Sequence, residues 1–154
     1  MQNYKGIKLM VDLTCVRHGR WLRLLGIDTE IVRSLNEMKK KIDERILITR
    51  NKKIRKIFRE NVLFLPEMNF WKGMNFIIKH LSLEKEIKPF TRCSLCNEEV
   101  KEISKNEVKG KVPYYVYENC DRFHICPRCN KIYWSGSHYE RFLEDIKNKI
   151  GIEI

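Results

Sequence analysis

Two Cys-x-x-Cys pairs constrain this chain more than any other feature. Cys93-Ser94-Leu95-Cys96 and Cys126-Pro127-Arg128-Cys129 are separated by 29 residues. Each pair forms a knuckle that turns two sulfurs to one side, and two knuckles joined by a hairpin make a closed tetrahedral site for zinc. Four filled positions leave no open coordination site, so this metal is expected to be structural. Cys15 and Cys120 stand outside the pairs and read as ordinary thiols. His124 and His138 are not needed as ligands, because the four cysteines (Cys93, Cys96, Cys126 and Cys129) suffice. Val112-Pro113-Tyr114-Tyr115-Val116-Tyr117 is expected to supply a strand of the ribbon.

Charge divides the chain. The 154 residues carry 31 Lys plus Arg and 20 Asp plus Glu, a formal net charge of +11. Residues 1–90 hold 20 basic against 10 acidic residues, and residues 91–154 hold 11 against 10. Lys39 to Arg59 alone carries ten basic residues against Asp43 and Glu44. Such an excess suits a polyanionic partner, RNA or DNA first, with the binding surface on the first part. A hydrophobic fraction of 43% excludes wholesale disorder. No apolar run reaches the ~20 residues of a membrane span, and Met1 to Lys8 lacks the apolar stretch of a signal peptide. A cytoplasmic protein is the expectation.

The first part alternates strand and helix signals. Ile7 to Asp12 reads as a buried strand, followed by a helix from Thr14 that ends at Gly26. Thr29 to Val32 is a second strand. Ser34 with Glu37 forms a capping-box pattern that opens a helix to about Glu44. Arg45 to Arg50 is a third strand, and Asn51 caps a basic helix ending near Asn61. Val62 to Leu65 is a fourth strand, and Asn69 starts a helix to about Leu81. This order implies an α/β fold with a mostly parallel sheet covered by helices. Ser82 to Pro89 reads as a linker, so the expected division is 1–88 and 89–154. A final amphipathic helix from about His138 carries Phe142, Ile146 and Ile150 at four-residue spacing.

In an open parallel sheet, function gathers at the carboxyl ends of the strands. Asp12 ends the first strand, where it can hold a divalent cation or cap the following helix. Asp28 and Glu37 flank the second strand, and Asn51 follows the third. Val11-Asp12, Gly19-Arg20-Trp21-Leu22-Arg23-Leu24-Leu25-Gly26-Ile27-Asp28-Thr29 and Arg45-Ile46-Leu47-Ile48-Thr49-Arg50-Asn51 resemble the PIN-like family named for the C-terminal RNase domain of the Mut-seven protein. Arg92-Cys93-Ser94-Leu95-Cys96-Asn97, Cys126-Pro127-Arg128-Cys129 and Tyr133-Trp134-Ser135-Gly136-Ser137-His138 resemble that family's appended zinc ribbon. The resemblance implies a three-layer α/β/α sandwich, followed by a small zinc ribbon and a C-terminal helix. It also implies RNA as substrate and phosphodiester hydrolysis with Mg²⁺ or Mn²⁺. The family's first acid matches Asp12, and its Gly-x-Asp acid matches Asp28. Asn51 stands where the family commonly carries Asp, and Asn36 followed by Glu37 where it usually has an acid. An Asn oxygen can touch a cation but adds no negative charge.

Three functions compete on this reading. The first in order of expectation is an RNA-binding protein with a degraded nuclease site (Asp12, Asp28, Glu37, Asn51) that acts on structured RNA or a ribonucleoprotein such as the ribosome. Its contacts would be Arg20, Lys39, Lys40, Lys41, Arg50, Lys52, Lys53, Arg55, Lys56 and Arg59. The second is an active Mg²⁺- or Mn²⁺-dependent endoribonuclease. The third is an interaction module whose zinc ribbon docks a protein partner.

Overall fold

A computed structural model describes residues 6–153. Most of the Met1–Lys8 stretch read for a leader lies outside them. Four strands form one parallel sheet: β1 (Lys8–Val11), β2 (Asp28–Ile31), β3 (Ile46–Thr49) and β4 (Val62–Phe64), in the spatial order β2-β1-β3-β4. Helices α1 (Val16–Leu24), α2 (Leu35–Lys41), α3 (Lys52–Ile57) and α4 (Phe70–His80) alternate with the strands. The expected α/β order therefore holds along the whole first part.

Alternation along the strands sends side chains to two faces. Leu9, Val11 and Ile48 join Leu22, Leu25, Met74, Ile77 and Ile78 on one face, against α1 and α4. Met10 and Leu47 point the other way and meet Val32, Met38 and Phe58 near α2 and α3. Two apolar layers on opposite faces of one sheet make the three-layer sandwich. Each fully buried Leu or Ile contributes about 1.5–3 kcal/mol of transfer free energy, so both faces are strongly held.

Several elements are shorter than the sequence signals predict. Asp12 caps a 3-10 turn over Leu13–Cys15, so α1 begins at Val16 rather than at Thr14. Helix α2 stops at Lys41, whose carbonyl accepts both Glu44 and Arg45 N–H groups as the chain turns into β3. Helix α3 stops at Ile57 because Phe58 takes an extended backbone and buries its ring against Met10 and Leu47. Gly26 ends α1 as expected, at φ +84°. The Ser82–Pro89 stretch is docked: Leu83 is fully buried, and the Lys88 N–H donates to the Leu25 carbonyl.

The second part contains a three-stranded antiparallel sheet of β5 (Lys101–Ile103), β6 (Phe123–Ile125) and β7 (Ile132–Trp134). Short helices α5 (Lys105–Val108) and α6 (Tyr114–Asn119) fill the connection between β5 and β6. The expected strand over Val112–Tyr117 is thus overturned. Pro113 removes a ladder donor, and its carbonyl instead accepts the Val116 and Tyr117 N–H groups. Val116 then closes a small core with Val108 and Phe123. Helix α7 (Ser137–Asp145) continues into a π-turn over Ile146–Ile150. Its Phe142, Ile146 and Ile150 enter the same core as α1 and α4, and Phe142 stacks on Trp21 with ring centres 4.7 Å apart. No helix among the described residues is long and apolar enough to cross a membrane.

Gly26 offers a test of how tightly the docked stretch is held. A Cβ there would lie 2.3 Å from the Lys88 carbonyl oxygen, whereas one on Gly110, also at positive φ, would meet nothing within 4 Å. Gly26→Ala should lower stability by well over ~1 kcal/mol, and Gly110→Ala by clearly less. Denaturant midpoints of the two variants measure the difference.

Candidate functional site

The strand order creates a switch point. From β1 the chain leaves toward α1 on one face; from β3 it leaves toward α3 on the other. Ligands of open α/β sheets bind in the crevice outside such a point. Asp12 lies at the end of β1 and Thr49 at the end of β3, and the Thr49 hydroxyl donates to Asp12 Oδ2. The Thr14 N–H donates to Asp12 Oδ1 at 2.9 Å, as does the Thr14 hydroxyl. Asp12 is only 4% exposed, and both of its carboxylate oxygens accept these bonds. The two hydroxyls in turn accept backbone N–H groups, Arg50 at 2.9 Å on Thr14 and Asn51 at 3.0 Å on Thr49. The Asn51 side chain accepts from the Lys53 N–H at 2.9 Å and so caps α3.

A buried histidine that carries no sequence signal lies within reach of the Arg50 and Arg17 charges. His18 is 5% exposed on α1, 4.9 Å from the Phe70 ring, and its Nε2 has no hydrogen-bond partner among the described residues. Burial first, then the charges of Arg50 and Arg17, lowers its pKa from 6.5 to about 4. Arg50 donates to the Met68 carbonyl at 3.1 Å, with its Nε buried and unpartnered. Arg17 lies 3.9 Å over the Phe70 ring.

The remaining acids do not join Asp12. Asp28 pairs with Lys8 at the opposite end of the parallel sheet. Four residues of strand separate the two acids, on the order of 13 Å. Asp28 instead binds Arg45 at 2.8 Å and Asn97 at 2.7 Å. Burial alone would raise its pKa, but hydrogen bonds from Arg45 and Asn97 and the Arg45 charge bring it below the usual value. Glu37 lies on the first turn of α2, where Ser34 caps its N–H at 3.2 Å. Among the described residues, the group of three or more His, Cys, Asp or Glu side chains close enough to share a metal ion is that of the four cysteines.

The basic candidates spread over several elements. Lys52, Lys53, Arg55 and Lys56 are exposed on α3, and Arg55 covers the Phe64 ring at 5.0 Å. Arg59, expected within the basic helix, lies beyond the end of α3, so Lys52, Lys53, Arg55 and Lys56 are the basic candidates on it. Ile57, although apolar, is 48% exposed. Lys39 and Lys40 are exposed on α2, whereas Lys41 is engaged by Glu30. Arg20 is exposed on α1, the layer opposite α3.

The sulfur atoms of Cys93, Cys96, Cys126 and Cys129 lie within 4.8 Å of one another. Both knuckles close alike: the Asn97 N–H donates to the Cys93 carbonyl and the Asn130 N–H to that of Cys126, each at 2.9 Å. Asn97 and Asn130 take φ +66° and +63°, a conformation Asn tolerates better than most residues. Burial would raise the Cys93 thiol, but the Tyr133 hydroxyl at 3.1 Å and the N–H groups of Cys96 and Leu95 bring it down to about 7. Four soft, clustered sulfurs, one already inclined to the thiolate, fit zinc. An octahedral Mg²⁺ or Mn²⁺ fits the sheet end poorly, since one carboxylate there is already occupied by three donors.

One knuckle is bound to the sheet. Arg23, although charged, is only 6% exposed. Its Nε donates to the Thr29 carbonyl at 2.7 Å, and its Nη1 to the carbonyls of Ser94 and Leu95 at 3.1 and 3.2 Å. The Thr29 N–H donates to Asn97 at 2.9 Å.

The α/β sandwich with an appended four-cysteine cluster defines the class. A family model for the Mut7-C RNAse domain matches residues 7–146, and the chain belongs to that family. Its function is accordingly nuclease-like and related to RNA. No curated protein matches the chain.

Two measurements follow from this geometry. Purified protein should contain about one zinc per chain, and Cys129→Ser or chelation should release it and lower the melting temperature, read by metal analysis and calorimetry. His18 is neutral when folded but protonates near 6.5 when unfolded, so the unfolded state binds more protons between pH 6.5 and about 4. Stability should therefore fall as pH drops through that window, and His18→Gln should flatten the dependence measured by urea titration.

Proposed function

We propose that this chain is an RNA-binding member of its family whose phosphodiester-cutting site is degraded. The observation that carries the reading is the donor set at the switch point. Asp12 is the one carboxylate joined to that network, and neutral side chains, Thr14, Thr49 and Asn51, complete it. Two-metal hydrolysis needs several carboxylates converging on the ions. Beside this site α3 offers Lys52, Lys53, Arg55 and Lys56 to phosphates. Exposed cations of this kind neutralise phosphates and release counterions, without reading sequence.

Residues 1–88 would bear the RNA-facing surface, and residues 89–154 would form the zinc ribbon with its helix. Structured RNA or a ribonucleoprotein, the ribosome among them, suits so basic a chain. A cytoplasmic setting fits the free thiols. Mg²⁺ or Mn²⁺ at the sheet end belongs to the competing nuclease reading, in which Asp12 would be the principal ligand.

Cleavage and binding assays separate these readings. Mixed RNAs incubated with Mg²⁺ or Mn²⁺ should be cut weakly or not at all. Asn36→Asp with Asn51→Asp should raise divalent-ion affinity, because charge count largely sets the affinity for hard cations. Robust cleavage by the native chain, abolished by Asp12→Asn, would establish the nuclease instead. Replacing Lys52, Arg55, Lys56 and Arg59 with Gln should weaken binding to many RNAs and lower the salt slope by roughly one unit per lost phosphate contact. An unchanged slope would remove α3 from the interface.

A further inference from the structure

The zinc-ribbon part contains a cavity of about 200 Å³ that neither the switch point nor the cysteine cluster occupies. Its lining is aromatic and basic: Phe90, Tyr133, Trp134 and Tyr139, with Arg122 and His124. His124 and Tyr133 are cross-strand partners on β6 and β7. Tyr139 comes from the first turn of α7, and Phe90 from the segment entering the first knuckle.

Two walls are fixed before any ligand arrives. Phe90 takes φ +60°, a sparsely populated conformation for a bulky residue, and its N–H donates to the Leu24 carbonyl at 2.8 Å. Its ring lies 4.6 Å from that of Tyr139 and 4.9 Å from that of Phe142. The Tyr133 hydroxyl is held between Cys93 Sγ at 3.1 Å and the Ser94 N–H at 3.2 Å. Arg122, by contrast, is free to turn inward: its contact with Glu102 is 3.5 Å long, between largely exposed side chains.

The cavity is smaller than the ~300–1,000 Å³ pockets that enclose drug-sized molecules. It suits one flat ring system, with π faces for stacking and cationic or imidazole nitrogens for a polar edge. Unpaired bases of RNA are recognised in this way, stacked on aromatic side chains and hydrogen-bonded along an edge. We propose that this cavity takes one unpaired nucleobase of an RNA, stacked on Tyr139 with Arg122 and His124 at its edge. The inference rests on the RNA reading above and deepens it: the target carries a splayed-out base, as loops, bulges and single strands do.

The test uses the zinc-loaded full chain. Uridine and adenosine, which carry no phosphate, should shift the ring resonances of His124 and Tyr139. Tyr139→Ala and Arg122→Gln should weaken binding of a single-stranded oligonucleotide roughly 5- to 100-fold, with the salt slope unchanged because no phosphate contact is lost. Tyr139→Phe keeps the stacking face and should bind nearly as the native chain does; zinc content and circular dichroism check that each variant folds. If RNA binds with its normal salt slope but nucleosides shift nothing and the variants bind as native, the pocket is wrong and the RNA reading survives. If a phenylalanine-bearing peptide shifts these resonances and nucleosides do not, the cavity serves a protein partner and the proposal is overturned. If neither RNA nor nucleosides bind, both readings fall.

Discussion

The architecture depends on a junction built from Arg23, Thr29 and Asn97. Strand β2 is an edge of the parallel sheet, and an edge exposes unpaired N–H and C=O groups. The first cysteine knuckle satisfies one of them and Arg23 of α1 another. Asn97 accepts the Thr29 N–H, and Arg23 links the Thr29 carbonyl to those of Ser94 and Leu95. Asn97 is also the residue whose left-handed backbone closes the Cys93–Cys96 turn. The same residue therefore shapes a metal knuckle and covers a sheet edge. The metal knuckle and the sheet edge thus share Asn97 as a common residue. Burying Arg23 would be costly for an unpartnered cation, and three carbonyl acceptors offset that cost.

A second junction operates at the opposite end of the sheet. Asp12 bridges β1 to β3 through Thr49, and through Thr14 it reaches the backbone of Arg50. One carboxylate and neutral side chains thus tie the two strand ends together. Asn51 illustrates the consequence: as a cap for α3 it does the structural work of an Asp, but it contributes no negative charge. In the proposed function, the surrounding basic residues then act on the phosphate directly rather than through a metal ion.

Periodicity and capping made most of the fold legible. Strands β1, β3 and β4 carry short apolar runs, and Ser34, Asn51 and Asn69 all cap the helices that their side-chain chemistry suits. What sequence could not give was placement across the fold. Asp28 follows a turn signal that fixes its position along the chain, yet register puts it at the amino end of the sheet, away from Asp12. Arg23 sits among other arginines on an amphipathic helix, and only the docking of a segment some 70 residues later makes it a buried group. Val112 to Tyr117 looks β-prone by composition, but Pro113 is a stronger local instruction and makes it a helix. The Asn after each cysteine pair was a usable signal for two similar knuckles, since both must adopt positive φ.

Charge also divides the labour between the two parts. The first 90 residues carry twice as many basic as acidic side chains, whereas the remainder is nearly balanced. Four thiolates around a divalent zinc would add about two negative charges and leave the ribbon part slightly acidic. Long-range attraction to a polyanion must therefore come from the sandwich. Anything the ribbon contributes to binding has to act at short range, through stacking and hydrogen bonds inside a formed cavity. Phosphate contacts set position on a nucleic acid, while contacts to bases supply discrimination. A sandwich that attracts and a ribbon that selects would accordingly differ in salt dependence, because only the first releases counterions.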